Sequence, residues 1–315
     1  MQTDSVSSGE LADVALPRAQ GGSSPQHLLV TLLGDYWIRQ ERDLPSAGLI
    51  ELLAEFEVTA SSARAALNRL LRRGLVDVRR AGRQTFYRLS PQVVERVVEG
   101  GRRIASFGLD ADWSGQWTIV AFSIPENRRE SRHLLRSRLG WFGFAPLYDA
   151  LWVSATSTAA DARTVLTALE ISSATVFTAT AETTVDRSPL SAWDLDELAA
   201  VYTSFIDETR PLRDAVLAGR VTPRQALIAR TRLMDTYRRF PGKDPGLPSA
   251  HMPPGWPRER ARALFTEVYD ALGPLAESRV RQIMGAHDSE AARRAGFQSV
   301  AQLRGGPVTG DAAPG

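Results

Sequence analysis

A chain of 315 residues with 43% hydrophobic content is long enough for two or three domains with real cores, and its net charge of +2 sets no overall preference for an anionic partner. It has no cysteine, which excludes disulfides, thiolate metal sites and cysteine nucleophiles. No apolar run approaches the roughly 20 residues of a membrane span, and the N-terminus lacks a basic start followed by an apolar core, so a cytoplasmic protein is expected.

Residues 1–25, rich in Ser, Gly, Ala and Gln without a sustained period, are expected to be a disordered lead-in. From His27, the apolar residues Leu28, Leu29, Leu32, Leu33 and Tyr36 mark a first helix. Ser46 is expected to cap a second, whose core face is Leu49, Leu52, Leu53 and Phe56. Residues 58–89 then carry one helix and one hairpin. Thr59 or Ser61 caps the helix start, while Arg72, Arg73 and Gly74 form a cationic last turn and a stop. Ala63, Ala66, Leu67, Leu70 and Leu71 recur at spacings of three and four, which leaves Ser61, Ser62, Arg64, Ala65, Asn68 and Arg69 facing outward. After Gly74 the period changes to two. The run to Arg80 turns at Ala81-Gly82 and returns through Gln84 to Leu89.

Charge is concentrated in this stretch: residues 59–89 hold eight arginines and one acid, Asp77, whereas the remainder has 30 Lys/Arg against 35 Asp/Glu. A helix with small, hydrogen-bonding residues fits the DNA major groove, and an arginine-rich hairpin beside it holds phosphates or reaches the minor groove. That is the logic of a winged helix-turn-helix. Its base-reading face is expected at Ser61, Ser62, Arg64, Asn68 and Arg69, with Arg79, Arg80 and Arg83 on phosphates.

Beyond Pro91, the residues Val93, Val94, Val97, Val98 and Ile104 give an amphipathic helix that links domains or pairs with a second subunit, closing a DNA-binding domain over 26–108. Strand patterns at 117–124, 147–154 and 175–180 alternate with helical ones at 128–139 and 159–169, which suggests a ferredoxin-like α/β domain over 109–188. Trp113, Trp117, Trp141 and Trp152 read as core and interface. From Pro189 the pattern is helical: 193–218, with a possible break at Pro211, then from Pro223 to Phe240, and from Pro257 through Tyr269 toward Met284. The stiff loop F-P-G-K-D-P-G-L-P-S-A-H-M-P-P-G-W-P separates the last two. Residues 189–287 are expected to form one helical effector and dimerisation domain, and 288–315 a mostly disordered tail. The fold class is therefore multidomain α+β: an N-terminal winged helix-turn-helix, a central ferredoxin-like domain and an all-helical C-terminal domain.

Catalytic patterns are missing. His27, His133, His251 and His287 lie in separate segments and read as surface or capping residues; no metal is expected, and there is no phosphate-binding glycine loop or nucleophile elbow. Asp194, Asp196 and Glu197 complement a helix start.

The pattern resembles the PaaX family of bacterial transcriptional repressors over about 28–275. It is carried by L-L-V-T-L-L-G-D-Y at 28–36, G-R-Q-T-F-Y-R-L-S at 82–90, W-S-G-Q-W at 113–117, L-G-W-F-G-F at 139–144 and the late Y-R-R-F-P, D-P-G-L-P and G-W-P segments. The resemblance implies the same three domains and a homodimer that represses a catabolic operon from double-stranded operator DNA. It also implies release by an aryl-acyl-CoA thioester such as phenylacetyl-CoA. Such an effector needs arginines for its phosphates and an apolar slot, for which Arg232, Tyr237, Arg238, Arg239, Asp244 and Trp256 are the candidates; the basic helix with Arg128, Arg129, Arg132 and Arg136 is a rival phosphate site. The central domain is also similar to the small nuclease fold of CRISPR adaptation. Ser123 takes the place of the metal-binding carboxylate there, so neither nuclease activity nor a cofactor is expected. The alternatives are an enzyme, either nuclease-like or an acyl-CoA hydrolase, and an architectural DNA-binding protein without a ligand. The first lacks a catalytic constellation, and the second leaves some two hundred residues without a task.

Overall fold

The first helix, α1 (Pro25–Trp37), starts where Ser24 accepts the His27 amide and Pro25 occupies the first turn, a place where a missing N–H costs nothing. The computed structural model describes residues 24–38, 40, 43–109, 112–182 and 188–305. The expected lead-in lies outside it, Ser24 and Pro25 excepted, as do residues 306–315 of the expected tail. A two-residue strand, β1 (Leu44–Pro45), leads into α2 (Ser46–Ala54). Ser46 is the first helical residue rather than the cap: Pro45 holds the cap position and makes no side-chain bond. Next come α3 (Ala60–Arg72) and a hairpin of β2 (Val76–Ala81) and β3 (Gln84–Leu89), to which β1 adds in the order β1-β3-β2. Ala81 pairs with Gln84, so the two turn residues are Gly82 and Arg83, one position later than expected. Gly82 has φ 59, the left-handed conformation a two-residue hairpin turn demands of its first central residue. The helix α4 (Pro91–Ser106) follows, with Val93 and Ala105 buried.

The central segment runs β4 (Gln116–Phe122), α5 (Arg129–Trp141), β5 (Ala145–Tyr148), β6 (Leu151–Ser154), α6 (Ala159–Ala168) and β7 (Ala174–Thr180). Its four strands are antiparallel throughout, in the order β5-β6-β4-β7. The single strand expected over 147–154 is instead two strands turning at Asp149 and Ala150, because the apolar residues on both sides of that turn read as one run. One face of the sheet packs Val120, Phe122 and Trp152 on Leu135, Leu139 and Val165 of the two helices. Trp117 and Trp152 are core residues as expected, but Trp141 is 56% exposed.

The remaining helices are α7 (Leu195–Leu217), α8 (Pro223–Tyr237), α9 (Arg258–Gly285), α10 (Ser289–Arg294) and α11 (Val300–Leu303). Asp194 accepts the Glu197 amide at the start of α7, which runs unbroken through Pro211. Two compact units result. Among the described residues, one comprises 24–105, 211–235 and 265–305; the other comprises 106–210 and 236–264. The stretch 189–287, expected as one domain, contributes residues to both units, with the divisions after Arg210, Asp235 and Leu264.

The tail is a further correction. Within 288–305 lie two short helices, one capped by Asp288 on the Glu290 and Ala291 amides, the other by a reciprocal Ser299/Gln302 box. Ala291, Ala295 and Val300 are buried. In the first unit Trp37 Nε1 donates to the Ala291 carbonyl at 3.0 Å, and Gln298 Nε2 to the Gly34 carbonyl at 2.9 Å. His27, expected at the surface, has a side chain only 12% exposed, with Nε2 at 3.4 Å from Asp235, while His287 Nε2 meets Glu51 at 2.6 Å. Among the described residues no helix is long and apolar enough to cross a membrane.

Candidate nucleic-acid interface

Local chemistry fixes both ends of α3. Thr59, not Ser61, is the cap, its hydroxyl accepting the Ser62 amide at 3.3 Å. At the other end the Gly74 amide reaches the Leu71 carbonyl and the Leu75 amide the Leu70 carbonyl, a Schellman stop that Gly74 permits with φ 65. Ala63, Ala66, Leu67 and Leu70 are buried, and the helix packs on α1 and α2. Ser61, Ser62, Arg64, Asn68 and Arg69 are all exposed, in line with the period, and a shallow concavity runs along Ala65, Asn68, Arg69, Leu71 and Arg72.

On the hairpin Arg79, Arg80 and Arg83 are exposed too, but they are not equivalent. Arg79 is held by Asp43 and lies over the Phe86 ring at 4.5 Å, and Arg88 lies 3.3 Å from Asp77. Arg64, Arg69, Arg80 and Arg83 have no carboxylate partner among the described residues. Asp43, which sequence reasoning did not single out, thus fastens the hairpin and takes up part of its charge. Its only sequence signal is an acid just ahead of Leu44-Pro45.

The expected effector residues are divided between the two units. Arg232 is exposed and belongs to the first unit, while Tyr237, Arg238, Arg239, Asp244 and Trp256 belong to the second. Tyr237 and Asp244 are 1% and 2% exposed. The Asp244 carboxylate accepts from Tyr202 Oη at 2.8 Å, Arg258 Nη1 at 2.8 Å, the Gly246 amide at 2.7 Å and Trp256 Nε1 at 3.3 Å. Burial, with the Asp244 charge beside it, holds the Tyr202 hydroxyl well above its ordinary pKa, so it remains a donor. Arg258 also donates to the Leu247 carbonyl. With its lone pairs occupied, Asp244 ties down the proline-rich loop instead of facing a ligand. Sequence reasoning missed Tyr202 and Arg258, whose partners lie 42 and 14 residues away.

Fold and charge placement together define a multidomain α+β protein whose cationic surface is a capped helix and an adjoining hairpin. The chain belongs to the PaaX family of transcriptional regulators. Residues 24–93 match the family model for PaaX-like protein, 110–190 that for the PaaX protein central Cas2-like domain, and 193–282 that for the PaaX-like protein C-terminal domain. Transcriptional repressor PaaX of Escherichia coli (strain K12) is 30% identical over 258 residues, covering 79% of this chain and 80% of the relative. A solved structure, the uncharacterized protein Rv0674 from Mycobacterium tuberculosis, has a TM-score of 0.49 at 20% identity over 83% of this chain and 98% of its own, too slight a likeness to carry a fold assignment.

Proposed function

We propose that this protein is a DNA-binding transcriptional repressor that acts as a homodimer, reads its operator with α3 and is released by an aryl-acyl-CoA thioester such as phenylacetyl-CoA. One observation carries the DNA half: the exposed face of α3 and the hairpin tip present Arg64, Arg69, Arg80 and Arg83 with no carboxylate among the described residues to neutralise them. The order α1, α2, α3 and hairpin is that of a winged helix-turn-helix, in which α3 enters the major groove. The strand-helix-strand-strand-helix-strand order of the central segment is ferredoxin-like. Ser123, directly after β4, supplies no carboxylate, which favours a regulator over a nuclease. A single recognition helix spans too few base pairs for a specific site, so the operator is an imperfect palindrome with half-sites one helical turn, or a multiple of it, apart. The effector half rests on the family resemblance.

The test is binding to the DNA immediately upstream of the protein's own gene, with and without acyl-CoA thioesters. Arg69→Ala is expected to relax base preference at one position and to cost about 1 to 3 kcal/mol. Arg80→Ala should weaken all sequences alike and lower the salt slope by about 1. Unchanged operator affinity in Arg69→Ala removes α3 as the reading helix. For the effector, calorimetric titration with phenylacetyl-CoA and free CoA is paired with the same ligands in the operator assay. Coupling of about 1.4 kcal/mol loosens the operator tenfold. No binding below millimolar concentration, or binding that leaves operator affinity unchanged, defeats the effector while DNA recognition stands.

A further inference from the structure

The two edges of the four-stranded sheet are built differently. Edge strands expose unpaired amides and carbonyls, and proteins commonly protect them with proline, charge, a bulge or short length. β5 has three of these devices: four residues only, Pro146 within it, and a register shift against β6 between Pro146 and Tyr148. β7 has none. Its seven residues, A-T-V-F-T-A-T, include no proline and no charge, and all seven pair with β4. Ala174 and Val176 pack toward the two helices, whereas Phe177, in the middle of the strand, is 50% exposed. No described strand pairs with the outer edge.

We propose that the outer edge of β7 pairs antiparallel with β7 of a second copy of this chain, joining two four-stranded sheets across a two-fold axis at Phe177. The strand is complementary to itself in that register. Phe177 meets the partner copy's Phe177, Val176 faces Thr178, Thr175 faces Ala179 and Ala174 faces Thr180, so β-branched and small residues oppose one another on either side of an aromatic pair. With no charge on the strand, a second copy brings no like-charge repulsion, and a two-fold contact of this kind closes on itself instead of growing into a fibre. The inference rests on the homodimer reading and assigns its interface.

The absence of cysteine from the chain makes the register directly testable. Residues on the axis of an antiparallel pair stand about 4.5 to 5.5 Å apart at Cα, inside the roughly 4.4 to 6.8 Å span of a disulfide. Full-length Phe177→Cys, as the sole thiol, is expected to become a covalent dimer under mild oxidation. Thr175→Cys, at a position that is also exposed, should stay uncross-linked, because its counterpart in the second copy lies about 13 Å away. Phe177→Lys should weaken dimerisation at least tenfold in sedimentation equilibrium, with an unchanged circular-dichroism melt; the cysteine pair carries the test even if the lysine variant folds poorly. Equal cross-linking of both cysteine variants, or a parent dimer that Phe177→Lys leaves intact, overturns this interface while the homodimer reading survives. A parent that is monomeric while bound to its operator overturns both.

Discussion

Asp244→Ala is expected to destabilise the unit that contains it by roughly 3 to 5 kcal/mol, the scale for removing one partner of a buried ion pair. The Asp244 side chain is 0% exposed and that of Arg258 6%, so the alanine variant leaves a guanidinium in the core with the Leu247 carbonyl as its remaining acceptor. The Tyr202 hydroxyl, the Trp256 indole N–H and the Gly246 amide lose their acceptor in the same step. Tyr202→Phe is the smaller perturbation, about 0.5 to 1.5 kcal/mol, since it removes one donor and leaves the ion pair whole. Urea unfolding followed by tryptophan fluorescence measures both. Two variants of equal stability would show that Asp244 does not hold the loop.

Arg230→Ala should cost a similar amount, about 3 to 5 kcal/mol, in the other unit. Arg230 is 0% exposed in mid-α8, a place a charged group occupies only when hydrogen-bonded or paired. Its Nη1 and Nη2 donate at 2.7 Å to the carbonyls of Tyr269 and Gln298, and its guanidinium lies 3.6 Å from the centre of the Tyr269 ring. Burial opposes the charge, yet Tyr269, Asp35, Tyr36 and Asp270 together hold its pKa above the ordinary arginine value. Tyr269 in turn donates to Asp35 of α1 at 2.8 Å. One side chain thus joins α8, α9 and the segment leading into α11, and its loss should free that segment. Hydrogen exchange of residues 289–303 is the specific readout. Protection unchanged from the parent would mean that apolar packing alone holds the tail.

The legibility of the sequence varied with the range of the interactions involved. α3 was readable almost residue by residue, because its cap, its apolar stripe and its glycine stop all act within a few positions. The outward placement of Asn68 and Arg69 followed by elimination, since the stripe leaves them no core to enter. Arg79 shows the limit. Its exposure was foreseen, but its partner Asp43 lies 36 residues earlier, and only the addition of β1 to the hairpin brings them together. Asp244 stands out in the sequence because it lies in a stiff loop beside arginines, yet whether it faces a ligand or a neighbour depends on α7, far away in sequence.

The sequence by itself determined the helix-and-hairpin unit, the charge concentrated on it, the alternation of strands and helices in the central segment and the helices that follow. Each of these is a local pattern repeated often enough to outweigh chance. Only the tertiary structure decided the fate of residues 288–305. Helices of six and four residues have no independent stability, because nucleation costs more than so few hydrogen bonds return. They exist because Trp37 reaches the Ala291 carbonyl across 254 residues of chain and Arg230 the Gln298 carbonyl across 68. The same distance in sequence hid Arg230 and Arg258, the two buried arginines among the described residues: composition counts them with the surface charges, and only the fold supplies the carbonyls, rings and carboxylates that let them lie inside.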